Sequence, residues 1–147
     1  MHTQTTIIST SDDVNAILNT LVVQRQAWEQ GTYAASNHEL YGLLAQCLEL
    51  MQVVKGNVAL AKGLNTLLRD RNVPFNKSTS LGLKIARAVF ADSGAYKASE
   101  NRMYTYARVL MLALEAGQTA HSLASFIQSN GGIDEVRRKT AGGMSPT

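Results

Sequence analysis

The sequence predicts an all-α fold, a single domain built as an irregular bundle of six or seven helices. Three observations carry that prediction. Prolines occur only at 74 and 146, so long stretches are free of helix breakers. Apolar residues recur at three- and four-residue spacing through most of the chain. Strand signatures are scarce, with no sustained alternation of β-branched or aromatic residues and no Asn-Gly or Asp-Gly hairpin turn. Thr5-Thr6-Ile7-Ile8-Ser9 is the exception, and it reads as a short strand or an ordered tail. With 147 residues, 45% of them hydrophobic, the chain fits one domain with a proper core. The expected division is a flexible segment over 1–11, a helical domain over 12–140 and a disordered tail over 141–147.

Each helix has its own signals. Ser11 can cap free amides, and Asp12 and Asp13 suit the positive end of a helix dipole. Val14, Ile17, Leu18, Leu21, Val22 and Trp28 follow at helical spacing, and Gly31 ends the run. Ser36-Asn37-His38-Glu39 is a capping box before Leu40, Leu43, Leu44, Cys47, Leu48, Met51 and Val54. The stripe of Leu60, Leu64, Leu67 and Leu68 points to the side nearly opposite that one. A straight helix cannot bury both against one neighbour, so a break is expected at Gly56-Asn57 and a third helix over 58–71. Residues 72–79 contain Pro74 and several capping types, which predicts a loop. Ser78 or Thr79 then caps a fourth helix carrying Leu81, Ile85, Val89 and Phe90, closed by Asp92-Ser93-Gly94. Ser99 caps a fifth, from Glu100 to Ala116, whose broad apolar coverage marks it as central. Thr119 caps a sixth, from Ala120 to Ser129, broken by Gly131-Gly132, with a short seventh from Ile133 to Lys139.

Charge is the one functional signal. Between Lys55 and Arg87 lie seven basic residues and one acid, Asp70, for a net +6. Residues 1–54 carry one base and five acids, net −4, and residues 88–147 carry six bases and five acids, net +1. A locally cationic middle in a chain with only 17% charged residues calls for an anionic partner. Lys62 and Arg69 are seven apart and share a helix face, opposite Leu60, Leu64 and Leu67. Lys84 and Arg87 are three apart on the fourth helix, and Lys77 and Ser78 sit in the loop between. With Arg71 as a further cation, these residues form the candidate nucleic-acid-binding set. Hydroxyl and amide side chains over 72–80, and outward-pointing amides at the start of the fourth helix, add phosphate donors. The expected partner is nucleic acid, DNA ahead of RNA. The alternative is a protein–protein module, an inhibitor or adaptor from a mobile element that docks an acidic surface of a host complex. A solvated face is the bland reading of the same charges. Tyr96, Lys97, Arg102, Tyr104 and Arg108 outline a second polar-aromatic face, suited to base stacking or to a protein interface.

Catalysis is not expected. There is no Walker loop, no dinucleotide fingerprint, no nucleophile elbow and no zinc-protease motif. His2, His38 and His121 do not pair at i+3 or i+4, so no metal or cofactor is implied. Asp12-Asp13 and Asp134-Glu135 sit at helix starts, where capping explains them. Cys47, the single cysteine, lies on an apolar face and reads as core. One thiol and no signal-peptide pattern at the start fit a reducing, cytoplasmic setting. The longest apolar run, Val109 to Leu114, is too short for a bilayer. Trp28, Tyr33 and Tyr41 are candidate anchors of a homodimer or ordinary core residues. Residues 119–138 have a helix-turn-helix outline, but the second helix begins with two acids where base contacts are usually made, which favours a structural hairpin.

Three stretches give the chain a wider likeness: Asn76-Lys77-Ser78-Thr79-Ser80, Tyr106-Ala107-Arg108-Val109-Leu110, and Phe126-Ile127 followed by Gly131-Gly132-Ile133-Asp134-Glu135-Val136-Arg137-Arg138. In these it resembles small accessory proteins encoded by phages and plasmids. The resemblance attaches no named family and transfers no site residue.

Overall fold

The computed structural model describes residues 10–30, 37–90 and 96–138. They form α1 (Ser11–Gln30), α2 (Asn37–Lys55), α3 (Val58–Asp70), α4 (Leu81–Phe90), α5 (Tyr96–Glu115), α6 (Leu123–Ser129) and α7 (Ile133–Arg138), with no strand among the described residues. The all-α bundle expected from the sequence is therefore what the chain adopts. The expected tails, the Thr5–Ser9 segment, Gly31, Tyr33, Ser36 and the Asp92-Ser93-Gly94 stop lie outside the described residues. No described helix is long and apolar enough to cross a membrane.

Local chemistry sets the helix ends. At α1 the cap is Thr10, one residue earlier than expected. Its Oγ1 accepts the Asp13 N–H at 3.2 Å, and Asp13 Oδ2 accepts the Thr10 N–H at 3.1 Å, a reciprocal capping box. The break between α2 and α3 falls where the opposed apolar stripes require it. Asn57, in extended conformation, caps α3 by accepting the Leu60 N–H at 3.0 Å. Asn72, at φ 59°, turns the chain out of α3, and the Val73 N–H returns to the Leu68 carbonyl at 2.9 Å. Ser80, not Ser78 or Thr79, caps α4, because Ser80 Oγ accepts the Leu83 N–H at 3.1 Å. Asn76 and Thr79 are engaged with each other instead, through the Asn76 N–H to Thr79 Oγ1 at 2.9 Å. Ser99 does not cap α5, which begins at Tyr96, because Tyr96-Lys97-Ala98 contains no breaker. At its other end Gly117, at φ 74°, lets the Gln118 N–H reach the Ala113 carbonyl at 3.0 Å. Thr119 likewise starts a turn rather than a helix. Its N–H donates to Ser122 Oγ at 2.9 Å, and α6 begins at Leu123.

Packing places α2 at the hub, in contact with α1, α3, α4, α5 and α6. Leu40, Tyr41, Leu43, Leu44, Cys47, Leu48, Leu50, Met51 and Val54 are all buried, a wider band than the single stripe seen in the sequence. Burial pushes the Cys47 thiol up to about 12, so the thiolate is suppressed and the residue serves as core. The broad apolar coverage of α5 meets α4, α7 and α2. At the α4–α5 crossing Gly82 lies so close to α5 that an added Cβ would stand 2.9 Å from the Ala107 carbonyl oxygen. Phe90 and Tyr106 seal the far end of that contact, their ring centroids 4.7 Å apart. Arg25 of α1 is fully buried, and its Nε–H donates to the Val89 carbonyl at 2.8 Å. A cation thus meets the negative end of α4 inside the bundle.

Candidate functional site

The loop over 71–80 carries the chain from α3 to α4 and holds the centre of the basic region. Pro74 and Phe75 lie at its midpoint, and Phe75 is half-buried. The guanidinium of Arg69, from the last turn of α3, lies 5.3 Å from the centre of the Phe75 ring. The ammonium of Lys84, from α4, lies 5.2 Å from the same centre. Lys84 Nζ also donates to Asn65 Oδ1 at 2.9 Å. Together with Asn76 and Lys77, these residues line an open groove of about 520 Å³. Among the described residues no acid lines it. The partners holding its cations are an aromatic face and a neutral amide, which fix positions without cancelling charge.

The loop itself is braced from within. Ser78 donates its N–H to Asn76 Oδ1 at 2.8 Å, and the Thr79 N–H reaches the Asn76 carbonyl at 3.1 Å. Lys77 is exposed at the tip of this turn. The bracing uses the Asn76 and Thr79 side chains that the sequence offered as phosphate donors. The Ser78 residue remains exposed. The amides at the start of α4 do not point outward as expected. The Leu83 N–H is taken by the Ser80 cap, and the Gly82 N–H donates to Met111 Sδ at 3.3 Å, because this end of α4 is packed against α5.

The candidate cations do not all converge. Arg69, Lys77 and Lys84 share the Phe75 groove. Lys62 is exposed on the same face of α3, about two turns (~10 Å) before Arg69. Arg71 is turned away. It follows Arg69 by two residues, about 200° around the helix, and its Nη2 donates to Asn15 Oδ1 of α1 at 2.7 Å and to Asn19 Oδ1. Arg71 therefore ties α3 to α1 and leaves the groove.

Arg87 joins this groove to a second one. Its Nη1 donates to the Pro74 carbonyl at 2.9 Å, on the wall of the Phe75 groove. Its Nη2 donates to the Tyr104 hydroxyl at 3.3 Å, and its guanidinium lies 5.8 Å from the Tyr104 ring centre. Tyr104 in turn lines an open groove of about 540 Å³ between α5 and α7, with Arg102, Arg108, Asp134 and Arg137. Here an acid is present: Arg102 Nη1 meets Asp134 Oδ1 at 3.3 Å. The polar-aromatic face read on the fifth helix is thus real for Arg102, Tyr104 and Arg108. The side chains of Tyr96 and Lys97 lie outside the described residues.

Two further expectations have structural answers. The 119–138 hairpin consists of a seven-residue and a six-residue helix joined at Gly131 and Gly132, both at positive φ. The second helix buries Ile133 and Val136, and Asp134 in its first turn is held by Arg102. Of the dimer candidates, Tyr41 is buried and Trp28 is half-buried against the core, its Nε1 enclosed.

The chain matches no protein-family model, and no curated protein or solved structure is significantly similar to it.

Proposed function

We propose that the protein binds nucleic acid through the Phe75 groove, as a non-enzymatic accessory protein. Arg69, Lys77 and Lys84 would contact phosphate oxygens, with Lys62 and Arg87 extending the charged tract. The observation that carries this reading is the pair of cations set against one aromatic ring, in a groove that no acid lines among the described residues. An ion pair would have satisfied them locally. Held by neutral partners, they retain the charge that an anionic ligand compensates. A polyanion with regularly repeated phosphates answers a tract of several cations better than a single small anion does.

Fluorescence polarisation with labelled oligonucleotides tests this at low and at moderate salt. The expected result is micromolar or tighter binding that weakens steeply with salt, because cation release accompanies each phosphate contact. No binding at low salt would overturn the proposal and leave the groove to an acidic protein surface.

A further inference from the structure

We propose that the ligand is a single strand, with one base stacked on Tyr104 and phosphates held on either side of it. This rests on the nucleic-acid reading above and specifies its substrate. The two grooves are one surface, because Arg87 contacts the wall of each: the Pro74 carbonyl on one side and the Tyr104 hydroxyl on the other. Cations line both grooves, Arg69 and Lys84 with Pro74 in one, and Arg108 and Arg137 with Tyr104 and the Arg102–Asp134 pair in the other.

Tyr104 is what selects a single strand. It is 50% exposed, and the other large exposed apolar side chains among the described residues, Val23 and Val58, are aliphatic. Its hydroxyl hydrogen bond and the guanidinium against its ring fix its orientation before any ligand arrives. A fixed, half-open aromatic ring flanked by cations is a stacking platform for an unpaired base. Phe75 is the less open ring, half-buried with two cations against it where Tyr104 has one. A duplex keeps its bases in its own stack and would leave Tyr104 without a role. Reading a duplex in its major groove takes a helix or a two-stranded ribbon that enters it, and the described residues contain no strand. The last described helix, α7, is six residues long, sets Asp134 and Glu135 against Arg137 and Arg138, and is anchored by buried Ile133 and Val136.

The test titrates labelled oligothymidine, oligouridine and a mixed-sequence duplex of equal length against wild type, Tyr104→Ala, Tyr104→Phe and Arg69→Glu/Lys84→Glu. Circular dichroism checks that each variant is folded. The single strands are expected to bind tighter than the duplex. Tyr104→Ala is expected to lose about tenfold for the single strands and little for the duplex, and Tyr104→Phe to keep most of the affinity. The oligothymidine and oligouridine arms identify DNA or RNA as the source. Duplex binding as tight as single-strand binding would overturn the inference, as would Tyr104→Ala having no effect. If Arg69→Glu/Lys84→Glu still abolished binding in those cases, the phosphate-binding reading would stand alone. Absence of binding to every oligonucleotide at low salt would overturn both.

Discussion

The two grooves on this surface both set cations beside an aromatic ring, and one of them also holds an acid. The α5–α7 groove contains Asp134, and its carboxylate holds Arg102 at 3.3 Å. In the Phe75 groove the cations are held by a ring and an amide, and no described acid lines the walls. The first arrangement neutralises one of its three lining arginines internally. The second fixes two cations while leaving their charge outward. The comparison separates charge that serves the fold from charge available to a partner, and neither the net +3 nor the local +6 makes that separation. Arg25 and Arg71 sit on the structural side of the same divide. The first is buried on the Val89 carbonyl, and the second is bonded to Asn15 and Asn19.

Reversing the groove's charge breaks the comparison most severely. Arg69→Glu with Lys84→Glu turns the unopposed site acidic, and affinity for an oligonucleotide is expected to fall by about a hundredfold or more. Losing the two ring contacts and the Lys84–Asn65 bond should cost only about 1–2 kcal/mol in urea unfolding, so the variant stays folded. Next comes the element that fixes the spacing of the two grooves. Gly82→Ala drives a methyl group toward the Ala107 carbonyl, a backbone atom that cannot turn aside. The overpacking is expected to outweigh the better helix propensity of alanine, with a net loss of about 1–2 kcal/mol in urea unfolding. Asp134→Asn makes the second groove resemble the first by freeing Arg102. Affinity is expected to rise by about two- to fivefold, the scale of an exposed ion pair. Arg71→Gln is the smallest. It alters net charge without touching either groove, and oligonucleotide affinity should stay within about twofold of wild type, apart from the long-range effect of one lost charge.

Much of the fold was legible because the buried residues repeat at helical spacing. The opposed stripes of α2 and α3 located their break, and Asn57 and Gly117 are where short-range capping rules place them. The caps that shifted, Thr10 for Ser11 and Ser80 for Ser78 or Thr79, lie in runs of adjacent hydroxyl residues where several satisfy the same local rule. Tertiary contacts decide among them. Arg25 was hidden by its charge, although it continues the spacing of Val14, Leu18 and Leu21. Its acceptor, Val89, lies 64 residues away. For the site, the sequence located a basic segment and placed Lys62 and Arg69 on one face. The two-residue step from Arg69 to Arg71 already turns Arg71 to another side, but that Asn15 and Asn19 take it up there depends on where α1 packs. Phe75 carried no signal because a loop aromatic has no periodicity. The Arg87–Tyr104 link, which makes one surface of two grooves, depends on how α4 crosses α5.

The salt dependence of binding tests the central claim most directly, measured for wild type and for Arg69→Gln/Lys84→Gln on the same oligothymidine. If the two unopposed cations contact phosphates, the slope of log affinity against log salt should be shallower in the variant by about 0.7 for each lost contact, or about 1.4 in all. Identical slopes would show that Arg69 and Lys84 touch no phosphate, and the groove would not be the binding site.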